Sequence, residues 1–374
     1  MAKKNLSKER ILATLKGIAE KRFGDKKNPK KKRVKKKTHI VRKSPRNPII
    51  SPKSDNAWEA WQTFNPAAIL IDDKVHLLYR AIGHDAISRL GYASSVDGFL
   101  VDERFPDPAY EHRTGQEGKY VCYSIASGGS WGGCEDPRIV RVGNEDKLYI
   151  TYTACDGGLR VGLSSISLED FKNKKWKWSK PQLISPAGQV NKNWIIFPEK
   201  INGKYAILHS ISPKISIAYV DDLDNIKEPI ESHYHPGKPE KRWDSFVRGP
   251  GPPPIKTDKG WLLFYHAMNH KDMSQYKMGA MLLDLNDPTK VLYRSKEPLL
   301  VPEECYENEG FKSGVVYALG AVVRGEDLLI YYGGADSHVC VAHVNLDKLL
   351  KSLTKKTIKL PKLKFLNFGK LLKS

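Results

Sequence analysis

The chain has 374 residues, 62 Lys and Arg against 42 Asp and Glu, a formal charge of +20, and 40% hydrophobic and 10% aromatic residues. That apolar content suits a packed core and excludes a disordered chain, and no apolar run approaches the roughly 18 residues that span a bilayer. Five cysteines (Cys122, Cys134, Cys155, Cys305 and Cys340), odd in number and without a CxxC pair, exclude a disulfide framework and a zinc site. With no signal-like apolar stretch at the start, the expectation is a soluble, cytoplasmic protein.

In chain order, residues 6–23 predict a short amphipathic helix with Leu12, Leu15, Ile18 and Ala19 on one stripe. The block Lys26–Lys37 follows, and within it Pro29–Val34 looks like a nuclear-localisation peptide; short Lys runs are weakly specific, and the plain reading is a solvated basic arm. Residues 1–47 hold 19 Lys and Arg against 3 acidic residues, and residues 348–374 hold 9 against none. The body between them has 34 basic and 39 acidic residues, so it offers no basic face to a nucleic acid. The expected organisation is a basic extension over 1–47, a folded domain over 48–349 and a basic tail over 350–374, with polyanion contact confined to the two arms.

Five segments of the body share one grammar: a Pro or small residue, a short strand, a Gly/Asp/Lys turn, a strand ending in an aromatic or His, then a third strand. They are Asn65–Ala81, Asp136–Thr153, Phe197–His209, Pro252–His266 and Gly320–Tyr332. Such meanders cannot bury their own faces, and stacking them radially removes exposed edges. The fold class expected is all-β, a five-bladed β-propeller with basic N- and C-terminal extensions.

Functional groups in that architecture gather where the inner strands converge, so polar residues that interrupt the grammar are the candidates. They are Asn65, Glu135-Asp136-Pro137-Arg138 and Glu199-Lys200 at strand starts, and Arg80, His209, His266 and Asp336 at strand ends. Burying such charges without partners costs several kcal/mol, and Glu135 with Arg138 is the expected structural ion pair.

The segments NPA, YRAIGHD, SRLGYASSVDG, GGCEDPRI, FPEKINGKYAILH, WDSFVRGPGPPPIKT, GWLLFYHA and YYGGAD resemble glycoside hydrolase family 130, the β-mannoside phosphorylases and β-mannosidases, over about residues 58–349. The resemblance implies a central pocket for a β-linked mannose and inverting chemistry. Asp136, in the EDPR motif, would be the proton donor, acting in the phosphorylases through the sugar's 3-hydroxyl. Asn65, Arg80, Asp85 and Asp336 would contact sugar hydroxyls, with His266 nearby, and Tyr79, Tyr123 and Trp131 are possible stacking surfaces. No metal or cofactor is implied; inorganic phosphate would be a co-substrate.

Phosphorolysis needs cations to gather a phosphate, whereas hydrolysis needs a second carboxylate to hold water. Lys192 with Asn193 keeps the family's phosphate-binding pattern. Ser210 and Val247 stand where a basic residue is expected, and Arg248 would substitute for Val247 only if its strand turns locally, because a one-residue shift reverses the face. Phosphorolysis to α-mannose 1-phosphate is the leading expectation, with hydrolysis using Glu303, Glu304, Glu307 or Glu309 as base the alternative. A non-catalytic binding propeller with basic arms is the reading from a different class.

Overall fold

Five antiparallel meanders follow one another in the computed structural model, which describes residues 39–113, 129–156, 158–233, 235 and 242–355. A two-residue strand, β1 (Arg42–Lys43), comes first in the chain. The first meander is β2 (Gln62–Ile71), β3 (Lys74–Ile82), β4 (Ile87–Ser95) and β5 (Glu103–Arg104). The second is β6 (Gly132–Arg141), β7 (Lys147–Cys155), β8 (Leu159–Ser167) and β9 (Gln182–Leu183). The third has the short strands β10 (Ile195–Ile196), β11 (Tyr205–Ser210) and β12 (Ser216–Val220). The fourth is β13 (Phe246–Pro250), β14 (Ile255–Thr257), β15 (Gly260–Asn269), β16 (Asp272–Leu283) and β17 (Val291–Arg294). The fifth is β18 (Val316–Arg324), β19 (Asp327–Gly334) and β20 (His338–Asn345).

The second strand of each meander is apolar on both faces because both faces are covered. Side chains alternate along a strand, and here each face feeds a different core. Leu148, Ile150 and Tyr152 of β7 pack with the first meander, while Tyr149 packs with Ile196, Tyr205 and Ile207 of the third. Leu263 and Tyr265 of β15 join the third meander, and Leu262 and Phe264 join the fifth. Leu329 and Tyr331 of β19 then pack on Leu77 and Tyr79 of β3, so the succession of shared cores returns to the first meander.

A tyrosine on the second strand locks the entry of three meanders. Tyr79 donates to Glu59, Tyr265 to Asp244 and Tyr332 to Glu307, at 2.6–2.8 Å, each carboxylate lying ahead of its own first strand. In the first two meanders a tyrosine of the second strand also explains the glycine of the third. Gly91 faces Tyr79 and Gly162 faces Tyr152, and a Cβ at either would come within 2.3 Å of the ring.

Both expected boundaries of the folded domain shift outward. Arg42 and Lys43 pair with His343 and Ala342 as the edge strand of the fifth meander, and Lys43 Nζ donates to buried Glu307 at 2.6 Å, so residues 39–47 belong to the folded body. At the other end, helix Leu346–Thr354 is capped by Asn345 and buries Leu349, Leu350 and Leu353 in the core between the fourth and fifth meanders. Position 349 cuts that helix. The helix expected over 6–23, the lysine block, Tyr123 and residues 356–374 lie outside the described residues. No helix among the described residues is long and apolar enough to cross a membrane.

Candidate active site

Four first strands slip register at the same place. The slips lie between Phe64 and Ala67, Glu135 and Arg138, Val247 and Gly249, and Ala318 and Gly320. A bulge leaves its extra residue unpaired with the neighbouring strand and re-aims it; the residues so displaced include Asn65, Asp136 and Arg248. Asn65 and Asp136 take φ of 49° and 52°, and Asn193 and Asp336 take 67° and 49°. Asn and Asp tolerate this left-handed region better than other side chains. Backbone strain of about 1–3 kcal/mol at each such position concentrates at functional sites.

Asp136, 4% exposed, is held through one oxygen. Its Oδ1 accepts from Asn65 Nδ2 at 2.8 Å and Arg80 Nη1 at 3.2 Å, whereas Oδ2 takes no hydrogen bond from the described residues. Arg80 is fixed from three other sides, by Ser88 at 2.9 Å, Ser130 at 3.2 Å and Glu135 at 3.0 Å. The ion pair expected between Glu135 and Arg138 is therefore replaced by Glu135 with Arg80, because the bulge separates the two neighbours. Arg138 instead donates to the Asp136 carbonyl at 2.8 Å and to Asn193 Oδ1 at 3.0 Å. Tyr317 donates to that same Asn193 oxygen at 2.7 Å.

These charges drive two carboxyls apart. Burial pushes Asp136 up, but Arg80, Lys192 and Arg138 and the Asn65 bond outweigh it and hold the carboxyl below its ordinary range. Asp336 is pushed up to about 6, by burial first and also by the charge of Asp136, against the pull of Lys312, Arg80 and Lys192. Its side chain takes no hydrogen bond from the described residues, and only its backbone carbonyl is used, by Gln62 Nε2 at 2.8 Å. Such a split pair suits two different tasks in one pocket.

Two expected sugar contacts have partners within the protein. His266 is fully buried, accepts from the Ala318 N–H at 2.9 Å and stacks on Tyr317 at 4.1 Å, so it props the wall rather than lining it. Burial and then Arg138 press its imidazole down to about 3, which keeps it neutral. Asp85 lies in the turn between β3 and β4 and is committed to Arg89 at 2.6 Å and the Ile87 N–H at 3.1 Å. Tyr79 is spent on its lock with Glu59.

On the cationic side, Ser210 is buried and donates to the Ser212 carbonyl at 2.9 Å, and Val247 is buried in the core. The local turn that Arg248 requires is present, since it is the bulged residue of β13. Its Nε donates to Tyr276 at 2.9 Å. Half-buried Lys192 acts on both Asp136 and Asp336, and Asn193 ties the two sides together, accepting from Arg138 and donating to the Arg248 carbonyl at 3.4 Å.

Residues 30–355 match the profile of glycoside hydrolase family 130, described as beta-1,4-mannooligosaccharide phosphorylase. The chain belongs to this family. It is 40% identical over 308 residues to a 1,2-beta-oligomannan phosphorylase of Thermoanaerobacter sp. (strain X514), covering 79% of this chain and 94% of that one. The beta-1,2-mannobiose phosphorylase of Listeria innocua, solved with beta-1,2-mannobiose, superposes with a TM-score of 0.65 at 27% identity, over 84% of this chain and 99% of that one. A structure reported for family 130 glycoside hydrolases that target beta-1,2 mannosidic linkages in Candida mannan gives a TM-score of 0.68 at 28% identity, over 83% and 94% of the two chains.

Within this member of family 130, the acidic loop considered for a hydrolytic base is largely structural. Glu307 is fully buried and accepts from Lys43, Tyr332 and the N–H groups of Glu303 and Glu304. Glu304 caps helix Cys305–Asn308, and Glu303 pairs with His39 at 3.1 Å. Sequence reasoning missed Ser130, Lys312 and Tyr317. Tyr317 precedes the point at which the fifth repeat is recognised, Gly320, because the bulge interrupts the strand just before it.

Proposed function

We propose that this family member is a β-mannoside phosphorylase that cleaves, and in reverse forms, a β-mannosidic bond with inversion, giving α-mannose 1-phosphate. The five meanders are read as the blades of a five-bladed propeller, supported by shared cores that return from the fifth meander to the first. The observation that carries the chemistry is the pairing of opposites. A carboxylate with one oxygen that no described residue bonds stands between Asn65 and Arg80, Lys192 acts on it, and the bulged Arg248 acts on nearby Tyr317.

Asn65 and Arg80 would fix Asp136 so that Oδ2 meets the sugar. Its proton would pass through the 3-hydroxyl to the leaving oxygen as that oxygen's bond to the anomeric carbon breaks. A phosphate oxygen would form its bond to the same carbon from the opposite face, held by Lys192, Asn193 and Arg248. In the free protein Asp136 is ionised. A bound phosphate offsets the cations that hold it low, so its proton affinity rises when the nucleophile is in place. Asp336, whose side chain takes no hydrogen bond from the described residues, is assigned to the mannose hydroxyls. The commitment of Glu307 to structure weighs against a water-activating base in that loop. Free thiols at Cys134 and Cys340, both buried, suit the cytoplasm.

The test is incubation with β-linked mannobioses, with and without millimolar phosphate, and resolution of the products by NMR. α-Mannose 1-phosphate formed only with phosphate is the expected result. Free mannose released at a rate indifferent to phosphate overturns the proposal in favour of hydrolysis.

A further inference from the structure

We infer that Lys312 is a further phosphate-binding residue, a cation that enters the site from the loop before the fifth meander and replaces the basic side chains absent at Ser210 and Val247. This rests on the phosphorylase reading above. At those two positions the chain carries a buried hydroxyl, bonded to the Ser212 carbonyl, and a buried aliphatic side chain. A phosphate dianion must therefore draw its positive charge from elsewhere.

The loop between helix Cys305–Asn308 and β18 is fastened to two parts of the site. Phe311 N–H donates to Ser337 Oγ at 2.8 Å, and Lys312 N–H donates to the Ala335 carbonyl at 2.9 Å, so the loop grips both neighbours of Asp336. Two residues on, the Gly314 carbonyl accepts from the N–H of Tyr276 on β16 at 2.8 Å. Gly314 takes a φ of 76°, and a Cβ there would come within 2.2 Å of the Ser274 carbonyl oxygen, so only glycine brings the loop this close to β16.

The side chain turns toward β16. Lys312 Nζ lies 5.4 Å from the centroid of the Tyr276 ring, and the hydroxyl of that same tyrosine accepts from Arg248 Nε at 2.9 Å. One ring thus carries two cations, Arg248 at its hydroxyl and Lys312 over its face. Among the described residues the Lys312 ammonium has no salt bridge and no hydrogen bond, although it acts on Asp336 more strongly than Arg80 or Lys192 does. Two like charges on one ring repel until an anion joins them, and a compact ammonium is a suitable point charge for phosphate. A mannoside is neutral, so the anion that these cations await in the reaction is the phosphate. Lys312 also offsets the repulsion between that dianion and the Asp336 carboxylate.

The experiment measures steady-state cleavage by the full chain of the β-linked mannobiose it turns over fastest, with phosphate varied. Lys312→Met is expected to raise KM for phosphate about tenfold, the scale of one hydrogen bond to a charged group, with KM for the mannobiose unchanged. Lys312→Arg, which keeps the charge, should recover most of that loss. Calorimetric titration of inorganic phosphate into the free enzyme should show the same weakening in Lys312→Met, at an unchanged Tm because the side chain is exposed. A phosphate-dependent enzyme whose KM for phosphate does not move in Lys312→Met overturns this assignment and leaves the phosphorylase reading standing. A loss that falls on KM for the mannobiose instead would make Lys312 a support of Asp336 and overturn it as well. Mannobiose cleaved at a rate indifferent to phosphate would bring down the reading and the role of Lys312 together.

Discussion

Glu59, Asp244 and Glu307 are buried at least as deeply as Asp136 and Asp336, yet the two groups are built differently. Each of the first three meets a tyrosine hydroxyl and a cation: Arg104 at 2.6 Å for Glu59, Arg294 at 2.8 Å for Asp244 and Lys43 at 2.6 Å for Glu307. None of the three has a left-handed backbone. Asp136 and Asp336 do, and each keeps carboxylate oxygen that no described residue bonds. A buried carboxylate with its partners supplied by the protein holds the fold together; one on strained backbone with bonding capacity left over is waiting for a ligand.

The sharpest way to break this distinction is to exchange the consequences. Glu307→Ala leaves Lys43 buried without its partner and should cost about 3–5 kcal/mol, seen as a lower Tm, with kcat of the folded fraction unchanged. Deleting residues 1–47 should lower Tm in the same sense, because Lys43 goes, whereas deleting 1–38 retains it. If Glu307→Ala kept its Tm and lost turnover, Glu307 would belong with the functional pair.

Asp136→Asn should behave oppositely, losing at least about a hundredfold in kcat, the lower range for a general acid, while melting near the wild type. A folded Asp136→Asn protein with near-normal turnover would remove the central assignment. Arg248→Met should raise KM for phosphate by about tenfold or more, since a charged contact is worth about 1.5–3 kcal/mol, and leave KM for the mannoside unchanged. An equal effect on both would make Arg248 a support of Tyr276 rather than a phosphate ligand.

The smallest effect tests the strain of the functional carboxyl. Asp336 is raised in the folded protein to about 6 from an ordinary value of 3.8, so folding disfavours its ionised form. That penalty is absent below about pH 4, grows as pH rises through the folded value, and is complete above it. Asp336→Asn should therefore raise stability at pH 8 by about 1–3 kcal/mol, do little at pH 4, and weaken mannoside binding. A variant equally stabilised at both pH values would show that burial of charge is not the cause.

Periodicity and residue type alone carried much of this protein. Alternating apolar strands, repeated with tyrosine and glycine at matching places, specify meanders whose two faces both need cover, because the side-chain period of a strand is a local property. Asn65-Pro66 and Asp136-Pro137 at the same point of successive repeats marked two side chains that bond each other, and Arg80 at a strand end marked the cation beside them. Folding determined the rest through contacts between distant segments. Glu135 chose Arg80, 55 residues away, over Arg138, three residues away. His266 went behind the wall, and Lys43 crossed to Glu307, 264 residues on. Arg248 is the bulged residue of β13 and so leaves the face that strict alternation would give it; where such a slip falls depends on how the strands pair, which one strand's own pattern does not encode.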